Sequence, residues 1–254
     1  MTDLTCDTIF SGLIKINQPR FGYRFSLDAL LLADFSGVEP GMTVIDLGAG
    51  AGVIALALGR RMGRGRVVAV EVQPRLQHCA RLNVEANPWS AVNIEVMAAD
   101  WNDLSPDDIG GKAQYAVSNP PYRRLGTGRI NPNDEEAVAR HELLGNAATA
   151  AQAARRVLGV GGRLAVIYPA ARLAGLLADL RGANLEPKRL RLVHSRSDHN
   201  ARLVLVEALV DGHEELSVMP PLFIYGQDRK YTPEVRSILA GGTAGGPENS
   251  PVDS

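Results

Sequence analysis

The chain has 254 residues, of which 45% are hydrophobic and 22% are charged, with a formal net charge of -1 and 2 cysteines. A chain of this length can bury its own core, and two cysteines are too few for a disulfide framework, so a small disulfide-stapled protein is excluded. The sequence shows neither a signal peptide nor an apolar run approaching the roughly 20 residues of a membrane span, and we expect a protein of a reducing cytoplasm with no membrane partner.

Residues 1–40 predict an antiparallel hairpin followed by a short helix. Two apolar runs, residues 8–10 and 13–16, flank a Ser-Gly turn. Ser26 suits the N-cap of an apolar helix over residues 27–35, and a Glu-Pro-Gly run closes the segment.

From residue 42 onward, predicted strands alternate with predicted helices. The strands cover residues 43–47, 66–71, 92–97, 113–118 and 163–168. The helices cover residues 53–61, 74–86, 146–158 and 171–181, and Gly159, Gly161 and Gly162 end the third of them. This alternation predicts an α/β fold with a parallel sheet covered on both faces and ligands at the carboxyl ends of its strands. Residues 188–194 and 201–209 follow without a helix between them and predict an antiparallel pair that completes seven strands.

Asp46-Leu47-Gly48-Ala49-Gly50-Ala51-Gly52 joins the first of these strands to a helix, where glycines let the backbone approach a ligand closely. A dinucleotide-binding G-x-G-x-x-G motif would need glycine at Val53, and the spacing here is G-x-G-x-G. Glu71 ends the second strand, where an acidic side chain can accept both hydroxyls of a ribose. These features leave open a nicotinamide or flavin enzyme and an S-adenosylmethionine (SAM) methyltransferase, and the acid before the glycines favours the second.

In a SAM enzyme the loop residues Gly48, Ala49, Gly50 and Gly52 would wrap the cofactor, and Asp46 would engage its amino group through water. Asp100 follows the third strand, where its carboxylate can accept the exocyclic amine of the cofactor's adenine. A turn or a helix cap is the structural alternative for Asp100, and a solvated strand end is the alternative for Glu71.

Asn119-Pro120-Pro121-Tyr122 directly follows the fourth strand, and its two prolines stiffen the backbone. The lone pair of a planar amine such as adenine N6 is delocalised into its ring. The Asn119 amide oxygen and the Pro120 carbonyl oxygen can each accept one N–H of such an amine, and Tyr122 can stack on its ring. Alignment then suffices for methyl transfer, because the leaving group of a sulfonium is already good. The four residues are therefore predicted to form the catalytic site.

These motifs resemble those of the class I SAM-dependent methyltransferases that methylate amines. Residues 24–35 (RFSLDALLLADF), with PPLFIY at 220–225 and YTPEV at 231–235, narrow the resemblance to the bacterial family that methylates adenine N6 in the anticodon loop of valine tRNA. The resemblance spans residues 8–239 and implies a Rossmann-like fold, SAM without a metal, and a tRNA substrate. It implies that residues 1–40 cover the cofactor and that 41–240 form the methyltransferase domain. It also places Arg24, Ser26, Asp28 and Asn119 beside the cofactor. Residues 241–254 contain four Gly and two Pro with almost no large apolar residue, a composition that predicts a disordered tail.

Two groups of basic residues are candidates for contact with RNA phosphates. They are Arg123, Arg124 and Arg129 after the acceptor motif, and Lys188, Arg189, Arg191, Arg196 and Arg202 near the end of the sheet. A solvated surface is the alternative for both groups. The acceptor motif alone also leaves open a protein glutamine N5-methyltransferase, a guanine-N2 RNA methyltransferase and a non-catalytic module that binds SAM and RNA.

Overall fold

The structure, a computed structural model, describes residues 4–21, 24–89, 91–121 and 146–242. The predicted hairpin is present. Strand β1 (Leu4–Ile9) pairs antiparallel with β2 (Ile14–Pro19) along its whole length. Helix α1 (Leu27–Phe35) has the predicted bounds, and Ser26 precedes it in an extended conformation without a capping hydrogen bond from its side chain.

The remaining elements alternate as predicted. In chain order they are β3 (Thr43–Leu47), α2 (Val53–Met62), β4 (Gly65–Glu71), α3 (Pro74–Ala86), β5 (Val92–Ala98), β6 (Ala113–Ser118), α4 (Ala147–Val157), β7 (Leu158–Pro169), α5 (Leu173–Gly182), β8 (Leu185–His194), β9 (Ala201–Val210), β10 (Ser217–Val218), β11 (Leu222–Phe223) and α6 (Pro233–Leu239). The strand order is β10-β8-β9-β7-β6-β3-β4-β5, with β11 also on β8. Strands β3 to β7 run parallel, and β9 is antiparallel to both β7 and β8. This topology confirms the Rossmann-like α/β prediction.

The sheet has nine strands in the described part of the chain, where the sequence predicts seven. The two additional strands, β10 and β11, each contain two residues and pair in parallel with β8. Two residues are too few to show the alternation of apolar and polar side chains by which a strand is recognised. The seven predicted strands are all present.

The end of α4 differs from the prediction. The helix stops at Val157, and Gly159, Gly161 and Gly162 lie inside β7 instead of ending the helix. Ala113 of β6 pairs with Leu158 whereas Tyr115 pairs with Arg163, so β7 carries extra residues at its start. Glycine permits this irregular pairing because it adopts conformations that other residues avoid, and Gly161 has a φ of 75°.

Side chains of the parallel strands alternate between two hydrophobic layers. Val44 faces a layer formed by the hairpin, α1 and α2, whereas the adjacent Ile45 faces a layer formed by α4 and α5. Ile14 and Ile16 of the hairpin are fully buried in the first layer. Over the described ranges, no helix has the length and apolar character to cross a bilayer.

Candidate functional site

The glycine loop, residues 48–52, lies at the carboxyl end of β3, as predicted. Gly48, Gly50 and Gly52 have φ angles of 79°, 59° and 79°, which side chains with a β-carbon rarely adopt. The backbone N–H groups of Gly48 and Ala49 both donate to the carbonyl oxygen of Val70 at 2.9 Å. These bonds anchor the loop to the end of β4, so its shape is fixed by the sheet.

Trp101 requires a residue without a side chain at position 48. A β-carbon at Gly48 would lie 2.6 Å from Cζ3 of the Trp101 ring. The indole N–H of Trp101 is buried and donates to no acceptor in the described residues. Because a buried donor without a partner is costly, the loop beside Trp101 is suited to a ligand that offers an acceptor.

Gly48→Ala is expected to lower the free energy of unfolding by about 1–3 kcal/mol, because alanine would be strained at this φ and its β-carbon would clash with Trp101. Urea denaturation measures the change. Gly175→Ala is the control, since Gly175 lies in α5 and its β-carbon would meet open space. It should raise the free energy by about 0.5–1 kcal/mol. A Gly48→Ala protein as stable as the wild type would show that the loop adapts.

Asp46, at the end of β3, is a buried carboxylate that is half satisfied. Its Oδ2 accepts from the N–H of Ala55 in α2 at 3.1 Å, and its Oδ1 accepts no hydrogen bond from the part of the chain described. Burial raises the pKa of Asp46 to about 7; the charge of Glu71 adds to the rise and the Ala55 bond opposes it. Asp46 is therefore poised to gain a positively charged partner.

Glu71 connects the glycine loop to the end of β4. It is 5% exposed, its Oε2 accepts from the N–H of Gly50 at 2.8 Å, and its Oε1 accepts from the N–H of Gln73 at 2.9 Å. Each carboxylate oxygen can accept a second hydrogen bond. Glu71 is thus not solvated, and its carboxylate can still accept hydrogen bonds from a ligand. It lies at the carboxyl ends of the strands, as predicted.

Asp100 forms the turn that the sequence offered as the structural alternative. Its Oδ1 accepts from both the backbone N–H and the side-chain amide of Asn102, at 2.8 and 2.9 Å. Its Oδ2 accepts from no residue in the described ranges. The carboxylate therefore retains an oxygen for a ligand.

The acceptor motif begins directly after β6, beside the glycine loop. The hydroxyl of buried Ser118 donates to the carbonyl oxygen of Leu47 at 2.9 Å and ties the ends of β6 and β3 together. Asn119 follows, and its Oδ1 is buried without a donor from the described residues. Pro120 is buried and Pro121 is exposed. Tyr122, Arg123, Arg124 and Arg129 lie outside the described residues.

Two of the three N-terminal candidates, Arg24 and Asp28, have different surroundings. Arg24 forms an ion pair with Asp7 at 2.9 Å and donates to the hydroxyl of Thr5 at 2.7 Å, so it is engaged with the hairpin. A hydrogen bond from Gln18, reinforced by the Arg24 charge, lowers the pKa of Asp7. Asp28 lines a cavity at the carboxyl ends of β7 and β8.

Asn83 connects the hairpin to the glycine loop, a contact that was not predicted from the sequence. This fully buried side chain donates to the carbonyl oxygens of Ala51 and Asn17, both at 2.9 Å, and accepts from the N–H of Asn17 at 2.6 Å. One turn later, Asn87 bonds both backbone groups of Lys15. The sequence signal for these contacts is a pair of asparagines four residues apart, one in the last turn of α3 and one directly after it. They attach the hairpin to α3 and to the glycine loop.

The second basic group is largely paired with carboxylates. The shortest ion pairs are Lys188 with Glu215 at 3.9 Å, Arg189 with Glu207 at 2.9 Å, Arg191 with Glu234 at 2.7 Å, and Arg196 with Asp198 at 2.8 Å. Arg202 is exposed and has no carboxylate partner among the described residues. Within this group, the charge of Arg202 is the one most available to a ligand.

Comparison with known proteins identifies a family and individual proteins that are similar to this chain in sequence. The methyltransferase small domain family matches residues 27–172, which include the glycine loop and the whole acceptor motif. A tRNA1(Val) (adenine(37)-N6)-methyltransferase of Porphyromonas gingivalis is 30% identical over 198 residues, 76% of each chain. One from Aeromonas hydrophila is 28% identical over 193 residues, 75% of this chain and 78% of the relative.

Solved structures share the fold. A predicted O-methyltransferase from Agrobacterium tumefaciens superposes with a TM-score of 0.66 at 23% identity, over 84% of this chain and 96% of that one. A SAM dependent methyltransferase from Aquifex aeolicus gives a TM-score of 0.52 at 19% identity, over 73% and 90% of the two chains. At these identities the likeness concerns the fold alone.

Proposed function

This chain belongs to the methyltransferase small domain family and to the family of tRNA1(Val) adenine-N6 methyltransferases, and we propose that it transfers a methyl group from SAM to the exocyclic N6 of an adenine in tRNA. The observation that carries the proposal is the buried Oδ1 of Asn119 beside the glycine loop, which has no partner among the described residues. A rigid acceptor without a donor is what an exocyclic amine needs from the protein.

The residues present fit SAM as the methyl donor. Three buried polar atoms lack partners among the described residues, namely Asp46 Oδ1, Trp101 Nε1 and Asn119 Oδ1. They lie near the carboxyl ends of β3, β5 and β6, three strands on the parallel side of the sheet. We assign cofactor binding to the glycine loop with Asp46, Glu71, Asp100 and Asn119. When bound there, SAM supplies an electrophilic methyl group on a positively charged sulfur.

We assign the hairpin and α1 to covering the cofactor. The Asn83 side chain supports this, because it bonds the hairpin at Asn17 and the loop at Ala51 simultaneously. Movement of the hairpin would therefore be transmitted to the loop. Arg24 acts within the hairpin through Asp7, and its part in cofactor binding is proposed as indirect.

The acceptor residues orient the amine and do not need to deprotonate it first. Asn119 Oδ1 and the Pro120 carbonyl oxygen each accept one N–H, which turns the nitrogen lone pair toward the methyl group. The hydroxyl of Ser118 holds this pair in place through Leu47. Tyr122 is proposed to stack on the extruded base, since stacking on an aromatic ring stabilises a base by about 1–3 kcal/mol.

Labelled methyl transfer from SAM to unmodified tRNA, ribosomal RNA and cell protein, followed by nucleoside mass spectrometry, tests the proposal. N6-methyladenosine formed in tRNA alone supports it. Label in protein with none in RNA would overturn the adenine assignment in favour of a glutamine amide. Label as N2-methylguanosine would identify a different base with the same planar amine.

The raised pKa of Asp46 predicts that stability falls as the pH rises. Between the ordinary value of 3.8 and about 7, the folded protein holds a proton that the unfolded chain has lost. The free energy of unfolding should therefore decline across this range, by about 4 kcal/mol when complete. Asp46→Asn removes the titration and should flatten this part of the pH profile. Urea denaturation from pH 4 to pH 8 measures both, and parallel profiles would contradict the assignment.

A further inference from the structure

A cavity of about 380 Å³ lies at the carboxyl ends of β7 and β8. The apolar part of its wall is formed by Leu31, Val193, Leu203 and Ile224. Its volume is within the range of small-molecule binding sites.

The cavity is bordered by a fixed pair of tyrosines. Tyr225 lines the cavity and stacks on Tyr231, with ring centroids 5.2 Å apart and planes 13° apart. Each is 38% exposed. The backbone N–H of Tyr225 donates to the carbonyl oxygen of Ser195 at 2.9 Å, which holds the pair at the end of β8. An exposed aromatic surface held in place in this way is a ready stacking platform.

Charged and polar groups complete the rim. Arg202 lines the cavity and has no carboxylate partner in the described ranges. The Nδ1 of His194 lies 2.8 Å from the carbonyl oxygen of His199, so it carries the hydrogen and donates. The Nε2 of the same ring is therefore an acceptor in neutral His194. Asp28 is the one acid on the rim.

The cavity is close to the proposed acceptor site. Ser118, at the end of β6, pairs with Val166 of the neighbouring strand β7, and Pro169 of the cavity lies three residues farther along that strand. Three residues of strand span about 10 Å, and adjacent strands are about 5 Å apart. A polymer bound at Asn119 can therefore extend into the cavity.

We propose that this cavity binds a nucleobase of the RNA substrate that flanks the methylated adenine, stacked on Tyr225 while Arg202 contacts the phosphate backbone. The inference rests on the proposed function, because the occupant belongs to the same RNA. An aromatic ring, an unpaired guanidinium and a fixed hydrogen-bond acceptor are the groups by which single-stranded RNA is held. The site gives the enzyme a second base to recognise besides the adenine that it modifies.

Binding of an anticodon stem-loop RNA with an unmodified adenine, measured at fixed salt, tests the site. Tyr225→Ala should weaken binding about tenfold, whereas Tyr225→Phe keeps the ring and should bind as the wild type does. Arg202→Ala should also weaken binding and reduce the salt dependence by about one phosphate contact. Arg64→Ala is the matched control, because Arg64 is exposed at the opposite, amino end of β4. Affinity for SAM should be unchanged in all four.

A double-mutant cycle then identifies the base. Abasic substitution at each nucleotide flanking the adenine is combined with Tyr225→Ala, and at one position the two losses should not add. Additive losses at every position, or wild-type binding by Tyr225→Ala and Arg202→Ala, would overturn the inference. If the wild type nevertheless makes N6-methyladenosine in tRNA, the proposed function stands and the cavity assignment alone fails. If the wild type neither binds nor methylates tRNA, both fail.

Discussion

Asn119→Ala is expected to reduce methyl transfer by about 100- to 1,000-fold, the usual cost of removing one preorganised hydrogen-bonding group from a reacting centre. The reason is specific to Oδ1, which is buried and has no donor in the described part of the chain. Its geometry is therefore reserved for a ligand. Much of the affinity for SAM should remain, because the glycine loop and Glu71 still hold the cofactor when Asn119 is lost.

Two further variants distinguish the loss of amine orientation from general damage to the protein. Asn119→Asp keeps an oxygen that accepts an N–H and should retain more activity than Asn119→Ala. Asn93→Ala is the matched control, since Asn93 is exposed near the start of β5, away from the carboxyl ends of the strands. Single-turnover methylation and SAM binding, measured together, give both readouts. A protein with Asn119→Ala that methylates at the wild-type rate would remove Asn119 from the mechanism.

The parallel sheet and the glycine loop were predictable because their signals are local. Each candidate ligand-binding group follows or ends an apolar run that reads as a strand: the glycine loop, Glu71 and Asn119. The strand order of the parallel sheet then brings these strand ends together. The helix α6 was also readable, although it was not predicted. Thr232 accepts from the N–H of Val235 at 3.3 Å and Pro233 occupies the first turn, which is a common start of a helix.

Pairing between distant segments was not predictable in the same way. The sequence places Arg189 in a run of basic residues and hides that Glu207, 18 residues later, lies directly opposite on β9. Asp28 has the position that the resemblance gives to a cofactor residue, and the sequence does not show that it also lines the cavity at the ends of β7 and β8. Charge read along the chain differs from charge in the fold, because strand register decides which side chains meet.

Arg189→Ala is expected to lower the free energy of unfolding by about 3–5 kcal/mol, the cost of breaking a buried ion pair from one side. Glu207 is 3% exposed, and Arg189 bonds both of its oxygens, at 3.0 and 2.9 Å. The Tyr115 hydroxyl and Arg163 also bond this carboxylate. The guanidinium of Arg189 further lies 4.3 Å from the centroid of the Phe35 ring. We therefore expect Arg189 to act in stability, and tRNA affinity of the folded variant should be unchanged.

The pKa of Glu207 predicts how the loss of unfolding free energy in Arg189→Ala changes with pH. Burial alone would raise the pKa of Glu207, but the hydrogen bonds and charge of Arg189, together with the Tyr115 hydroxyl and Arg163, outweigh it and hold the pKa below its ordinary value of 4.5. In the wild type this pair stabilises the fold above pH 4.5, and the contribution is lost as the pH falls through the lowered pKa. Without Arg189, burial is opposed only by Tyr115 and Arg163, so the pKa of Glu207 should rise. The deficit of the variant should therefore grow from about pH 3, where the carboxyl is protonated, to pH 7.5.

Urea denaturation at the two pH values measures this deficit, with Arg155→Ala as the control. Arg155 forms an ion pair with Asp211 at 3.1 Å in which both side chains are at least one-third exposed, so its loss should cost less than about 1 kcal/mol at either pH. A small deficit for Arg189→Ala, equal at both values, together with weakened tRNA binding would reverse the assignment. It would assign Arg189 to RNA binding, as its position in the second basic group predicts.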